Sequence, residues 1–341
     1  MTLKKTLSCF VFAFLFSGIA LAEHKPDPIY KSEKAEVSIW SYANITGGTG
    51  RDFMANQIRT RISGKFGNVV AFAEIDLAGL DNRINENYVT QAWVGYNFKD
   101  PLVGNMFSNT TVRVGSVLTA GGLYLPAPYL TIPVVGQKTP FKYFGYGVQV
   151  QTNITKDIVF IGDVTGTTGP AFNDFEARTS QVETSQRVIW DAMKNESGKT
   201  NLQLSLSHMW SDVSNRVGFG VKYSPFADLD LYGGGYYANE HPISKKPQSN
   251  IGGYALADYK IWSMEGNKLD LRVHGMFEKT DGTVKYTGYT GGVSFVLPED
   301  GGYGRFGSSS ATVDFTHGTT SINSGPAVED NAVGARFRIF F

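Results

Sequence analysis

Two-residue alternation at the end of the chain constrains this protein more than any other feature. The last residues run Val333-Gly334-Ala335-Arg336-Phe337-Arg338-Ile339-Phe340-Phe341. Successive side chains of an extended strand point to opposite faces. Val333, Ala335, Phe337, Ile339 and Phe341 therefore share one face, and Gly334, Arg336, Arg338 and Phe340 share the other. In water such an apolar chain end would fray. An apolar outside and a basic inside suit a strand that meets lipid on one face and a watery lumen on the other.

The beginning of the chain points the same way. Met1-Thr2-Leu3-Lys4-Lys5 is basic, residues 7–16 are apolar apart from Ser8 and Cys9, and Ala20-Leu21-Ala22 supplies small residues before Glu23. This order predicts a secretory signal peptide over residues 1–22, too short for a spanning helix. A membrane anchor is the alternative. Cys9 lies inside the apolar core rather than after it, which argues against a lipoprotein. It is also the sole cysteine, so disulfides, thiol chemistry and cysteine-ligated metals are not expected in the mature chain. Lysine plus arginine and aspartate plus glutamate both number 31, which gives no electrostatic reason to expect nucleic acid.

Alternation recurs along the chain. Val37, Ile39, Ala43 and Ile45 oppose Glu36, Ser38, Trp40 and Tyr42, and Ile58, Thr60 and Ile62 oppose Gln57, Arg59 and Arg61. Ala71, Ala73 and Ile75 oppose Phe72, Glu74 and Asp76; Val112 and Val114 oppose Thr111, Arg113 and Gly115. The clearest case sets Leu269, Leu271, Val273 and Phe277 against Asp270, Arg272, His274 and Glu278. The 39 glycines disfavour long helices, and aromatics at 13% suit strands and interfacial girdles. About sixteen strands of roughly ten residues are predicted, each long enough to cross an outer membrane at a tilt.

Residues 23–35 read as a short polar leader before an all-β, antiparallel transmembrane barrel over residues 36–341. Tight turns are expected near residues 65–68, 195–198 and 225–228, and longer loops at 117–142, 166–183, 239–250 and 319–330. The run at residues 187–192 is weaker, and a short helix competes there. Pro126, Pro128, Pro133 and Pro140 exclude a central strand from residues 117–142, so a long functional loop follows the fifth strand. A secreted β-sandwich or propeller is the soluble alternative, but no blade repeat is visible.

The signal peptide, the alternating strands, the loop after the fifth strand and the terminal phenylalanine together resemble a Gram-negative outer-membrane porin. The resemblance spans residues 36–341 and rests on arrangement rather than on one motif. It implies a homotrimer of sixteen-stranded barrels, held in outer-membrane lipid and lipopolysaccharide, whose third loop folds inward to narrow the pore. It also implies that Phe341 closes the signal read by the barrel-assembly machinery.

The lumen residues then suggest a function. Such porins set loop acids against wall arginines, whereas residues 117–142 hold no Asp or Glu; their charges are Lys138 and Lys142. Arg59, Arg61, Arg336 and Arg338 are inward, and barrel closure should bring them together, with Arg113 joining. Rings of basic groups favour anions, although Glu74 and Asp76 could neutralise Arg59 and Arg61. Tyr124 and Tyr129 lie in an apolar stretch that either rims the constriction or packs the loop to the wall. A passive channel for small hydrophilic solutes and ions is the leading reading. A hydrolase barrel using Asp270, His274 and a serine such as Ser294 is one alternative, and an adhesin or receptor barrel another. The histidines show no metal-ligand spacing and no cofactor is expected. Gly198-Lys199-Thr200 resembles the tail of a phosphate-binding loop but lacks its leading glycine, and reads as a turn.

Overall fold

The computed structural model describes residues 28–49, 51–76, 89–101, 107–121, 144–166, 182–196, 198, 200–212, 214–240, 248–264, 269–282, 284–296, 309–322 and 325–340. Residues 1–22, most of the polar leader, the four loop positions Tyr124, Tyr129, Lys138 and Lys142, and Phe341 lie outside the described residues.

Among the described residues there are seventeen strands and no helix. The first six are β1 (Tyr30–Lys31), β2 (Ala35–Gly48), β3 (Arg51–Phe66), β4 (Val69–Asp76), β5 (Val89–Phe98) and β6 (Ser108–Leu118). Then come β7 (Phe144–Asn153), β8 (Ile158–Gly166), β9 (Val182–Lys194), β10 (Thr200–Ser211), β11 (Ser214–Phe226) and β12 (Leu229–Glu240). The last are β13 (Gln248–Met264), β14 (Leu269–Asp281), β15 (Val284–Val296), β16 (Ser310–Ile322) and β17 (Val328–Phe340).

From β2 onwards each strand pairs antiparallel with the next, through to β17. β17 then pairs with β2, Gly334 facing Gly48 and Phe340 facing Tyr42, so the ladder returns to its start. Closure removes the unpaired strand edges that an open sheet would expose, which a bilayer cannot hydrate. β1 is a two-residue addition from the polar leader, paired with Glu36 and Val37 of β2.

The two faces of the wall differ as alternation requires. Val94, Val114, Phe219, Tyr289 and Phe315 are more than half exposed on the outside, while inward positions on the last three of these strands include buried Arg216, Thr290 and Asp314. Apolar out and polar in is the reverse of a water-soluble fold and matches a barrel in lipid.

Several elements differ from the sequence expectation. Residues 187–192, read as a weaker strand with a short helix competing, do lie in a strand, but β9 is longer than expected at thirteen residues. Its Val188 and Trp190 face outward while Arg187 and Ile189 pair across to β8 and β10, so tertiary pairing overrides weak local pattern. Strands also run longer than ten residues, up to seventeen in β13. The loops expected at 239–250 and 319–330 are accordingly shortened, because β12 continues to Glu240 and β16 to Ile322. β10 turns directly into β11, with Ser211 facing Ser214 and their hydroxyls 2.9 Å apart. This connection, at one end of the wall, is as short as the sequence between the two strands allows. At the other end Gly67, at φ 62°, makes the tight turn between β3 and β4, a backbone conformation that suits glycine.

Candidate functional site

The inner wall is the candidate site. Strand pairing sets a continuous arc of basic and aromatic side chains on it. On β17, Arg336 and Arg338 are buried; on β2, so is Tyr42. The Arg61 guanidinium of β3 lies over the Tyr42 ring at 5.1 Å and that of Arg338 at 5.7 Å from the other strand, a cation–π arrangement. Arg336, Arg61 and Arg59 all lie within electrostatic reach of Arg338.

A carboxylate sits within this arc. Glu74 of β4 is fully buried, accepts a hydrogen bond from Arg61 Nε, and pairs with Arg59 Nη1 at 3.1 Å. One acid therefore serves two arginines. Asp76 faces Arg59 in register, but its side chain lies outside the described residues.

Arg113 stands further round the wall, on β6. Its guanidinium donates to Gln149 Oε1 and Gln151 Oε1 of β7, each at 3.0 Å, and lies 4.6 Å from the Trp93 ring centre. Trp93 stacks on Phe72, and Trp40 tilts against Phe72. The arc thus runs from β17 through β2, β3, β4, β5 and β6 to β7.

The loop after β6 starts inward. The Ala120 amide donates to Asp163 Oδ2 at 2.5 Å, and Asp163 Oδ1 accepts from Ser185 Oγ at 2.6 Å. Ala120 packs with Ile161 of β8 and Ile189 of β9. A side chain added at Gly121 would meet Met209 of β10 and Ser185 of β9. Residues 119–121 therefore leave β6 along the inner wall instead of out into solvent, and Gln149 Nε2 holds the Leu118 carbonyl at 2.5 Å behind them.

A separate group of acids lines β12 to β16. Arg272 of β14 binds Asp258 at 2.8 Å and Asp230 at 3.3 Å. His274 Nε2 lies 2.6 Å from Asp314 Oδ1, Ser263 Oγ donates to Asp270 Oδ1, and Ser294 pairs with Thr312. The triad considered from sequence is therefore not assembled: His274 meets Asp314 and not Asp270, and Ser294 turns to a threonine. Gly198, at φ 80°, closes a turn on Asn195. No group of three metal-ligating side chains occurs among the described residues.

Sequence reasoning missed an apolar patch on the inner wall. Met209, Tyr232, Tyr236, Tyr254, Leu256 and Met276 form one buried cluster across β10 to β14. Strand alternation puts Tyr254 and Leu256 on the same face as buried Asp258, and that parity is the signal that could have found them. The expectation of a uniformly polar lumen hid them.

No family model and no curated protein matches this sequence. Solved structures do match over nearly the whole chain. The outer membrane channel DcaP of Acinetobacter baumannii is 12% identical with a TM-score of 0.61, covering 92% of this chain and 99% of that one. OmpT, an outer membrane protein of Vibrio cholerae, has 11% identity and the same TM-score and coverage. An anion-selective porin from Comamonas acidovorans has 9% identity and a TM-score of 0.57, covering 90% of this chain and 100% of that one. The fold is that of an outer-membrane porin. Identity this low carries the porin architecture, with its wall of antiparallel strands around a lumen, and leaves the chemistry to the residues on that wall.

Proposed function

We propose that this porin-fold chain is an outer-membrane channel for passive diffusion of small hydrophilic solutes and ions. Residues 1–22 export it, and lipid and lipopolysaccharide surround it. The observation that carries the reading is the inversion of faces: apolar outside, and hydrogen-bonded charges, hydroxyls and amides inside. The arc of Arg336, Arg338, Arg59, Arg61 and Arg113, in which Glu74 is shared by two of the five, favours anions. One protein of the same fold is described as an anion-selective porin.

Purified protein in a planar bilayer is expected to give stepwise, ohmic conductance, and a silent bilayer with folded barrels overturns the reading. Across a potassium chloride gradient the zero-current potential should have the anion-selective sign. It should move towards zero in the double variant Arg59→Ser, Arg336→Ser and shrink at high salt, where the Debye length falls to about 3 Å near 1 M. A cation-selective wild type would refute the anion preference.

We further propose a homotrimer whose contact surface includes an outward hollow of about 470 Å³, floored by Gly64, Ala71, Ala73 and Ala92 between Ile62 and Val94. Small residues let backbones approach closely in lipid. One structure of Vibrio cholerae OmpT is a trimer form. Phe341 acts as the terminal assembly signal. On unheated gels the wild type should run as a trimer that heating dissociates, and deletion of Phe341 should markedly lower the folded fraction in outer membranes. Monomer-only migration, or unchanged assembly after the deletion, contradicts the respective proposal.

A further inference from the structure

We infer that His274 is a specificity-determining residue of the channel, and that uptake of a proton there strengthens the wall's preference for anions. The inference rests on the channel reading above. It starts from three residues in register on three strands. His274 of β14 faces Gly292 of β15, and Gly292 faces Asp314 of β16. The imidazole and the carboxylate meet across the middle strand. Nε2 lies 2.6 Å from Oδ1, and the two side chains are only 2% and 4% exposed.

Glycine makes this meeting possible. A Cβ at residue 292 would run into both Asp314 Oδ1 and His274 Nε2. An ionised carboxylate only accepts hydrogen bonds, so Nε2 carries the hydrogen in this contact. Nδ1 then holds the lone pair, and it has no hydrogen-bond partner among the described residues. A proton from solution adds at Nδ1 and leaves the Nε2–Asp314 hydrogen bond in place, now between opposite charges.

The surrounding charges decide what that proton does. Asp258 of β13 faces His274 in register and binds Arg272 Nε at 2.8 Å, and Arg272 also reaches Asp230 of β12. Asp270, Arg272 and Glu278 share the inward face of β14 with His274, whereas β15 offers only Gly292 between Thr290 and Ser294. On the far side Asp314 lies within electrostatic reach of Arg336 on β17, where the basic arc begins. Asp314 thus stands between the imidazole and the arc. With His274 neutral, the Asp314 charge offsets Arg336. With His274 protonated, the imidazolium takes up that charge and Arg336 is less offset. Buried charges are screened little by salt, and basic groups on a pore wall favour anions.

Histidine is the side chain whose ordinary charge change falls between pH 5 and 8, a window in which carboxylates and guanidinium groups ordinarily keep their charge. His208 and His317 share faces with exposed Leu206 and Phe315, on the outside of the wall, and hydrogen-bond Asn215 and Asn331. They serve as controls.

The test is the zero-current potential of the full barrel across a potassium chloride gradient at pH 8, 7, 6 and 5.5. The wild type should shift towards stronger anion preference as the pH falls. His274→Gln, whose amide can donate to Asp314 but takes up no proton, should lose most of that shift. His208→Gln should keep it. Asp314→Asn should show stronger anion preference already at pH 8, and it decides in place of His274→Gln if that variant gives no folded gel band. A flat wild-type profile, a shift towards cations, an undiminished shift in folded His274→Gln, or no change at pH 8 in Asp314→Asn overturns the assignment. Absence of any current overturns the channel reading instead, so the two failures are distinguishable.

Discussion

Replacing Glu74 with glutamine should destabilise the barrel by about 3–5 kcal/mol, the usual cost of removing one partner from a buried ion pair. Glu74 is 0% exposed and Arg61 2% exposed, so neither charge has water to fall back on. Arg61 donates to one carboxylate oxygen and Arg59 to the other. Glutamine keeps the shape but removes the charge that offsets two guanidinium groups, and its NH2 cannot accept from either arginine. The same substitution should strengthen anion preference, because the arc keeps its arginines and loses one negative charge set among them. The measurement is the temperature at which the folded gel band converts to the unfolded one, together with the zero-current potential. Exchanging Arg61 and Glu74 together for leucines should cost less than Glu74→Gln alone, since one guanidinium, the less buried Arg59, rather than two then loses this counter-charge. A Glu74→Gln barrel with unaltered melting and selectivity would mean that the pair is not an energetic unit.

Gly115→Val should prevent most of the protein from reaching the folded state. Gly115 lies in β6 at φ 135°, a region that side-chain-bearing residues rarely adopt. Its absent side chain faces the Ala92 carbonyl oxygen, which a Cβ would approach to 2.2 Å. The backbone strain alone is worth about 1–3 kcal/mol, and relieving the clash would part β5 from β6 beside Trp93. The strand also delivers the chain into the inward-turning residues 119–121, so the damage would reach the lumen. Gly334→Ala is the matched control, because nothing lies within 4 Å of a Cβ at that position. Comparable folded yields from the two variants would show that close approach at Gly115 does not constrain the wall.

Architecture was legible in the sequence because its signal is local. Period-two alternation is written into each strand separately, as in β14, where Leu271 and Val273 face out and Asp270, Arg272 and His274 face in. Inward arginines could be named from parity for the same reason. Weak segments were only partly legible. β9 alternates weakly enough for a helix to compete with the strand reading, and the ladders of β8 and β10 on either side decide for the strand. The ends of β12 and β16 extend past their apolar patterns because a neighbour continues to supply hydrogen bonds.

What the sequence determined by itself was the two-faced wall: which residues meet lipid and which meet the lumen. Only the tertiary structure decided which inward residues meet. That Glu74 is shared by Arg59 and Arg61, that Arg61 and Arg338 approach Tyr42 from opposite strands, that Phe72 stacks on Trp93, and that His274 chooses Asp314 over Asp270 all depend on register between strands. The physical reason is that parity is a property of one strand, whereas stagger and closure are properties of the whole ring. A shift of two residues between neighbours would leave every side chain on its own face and change every partner.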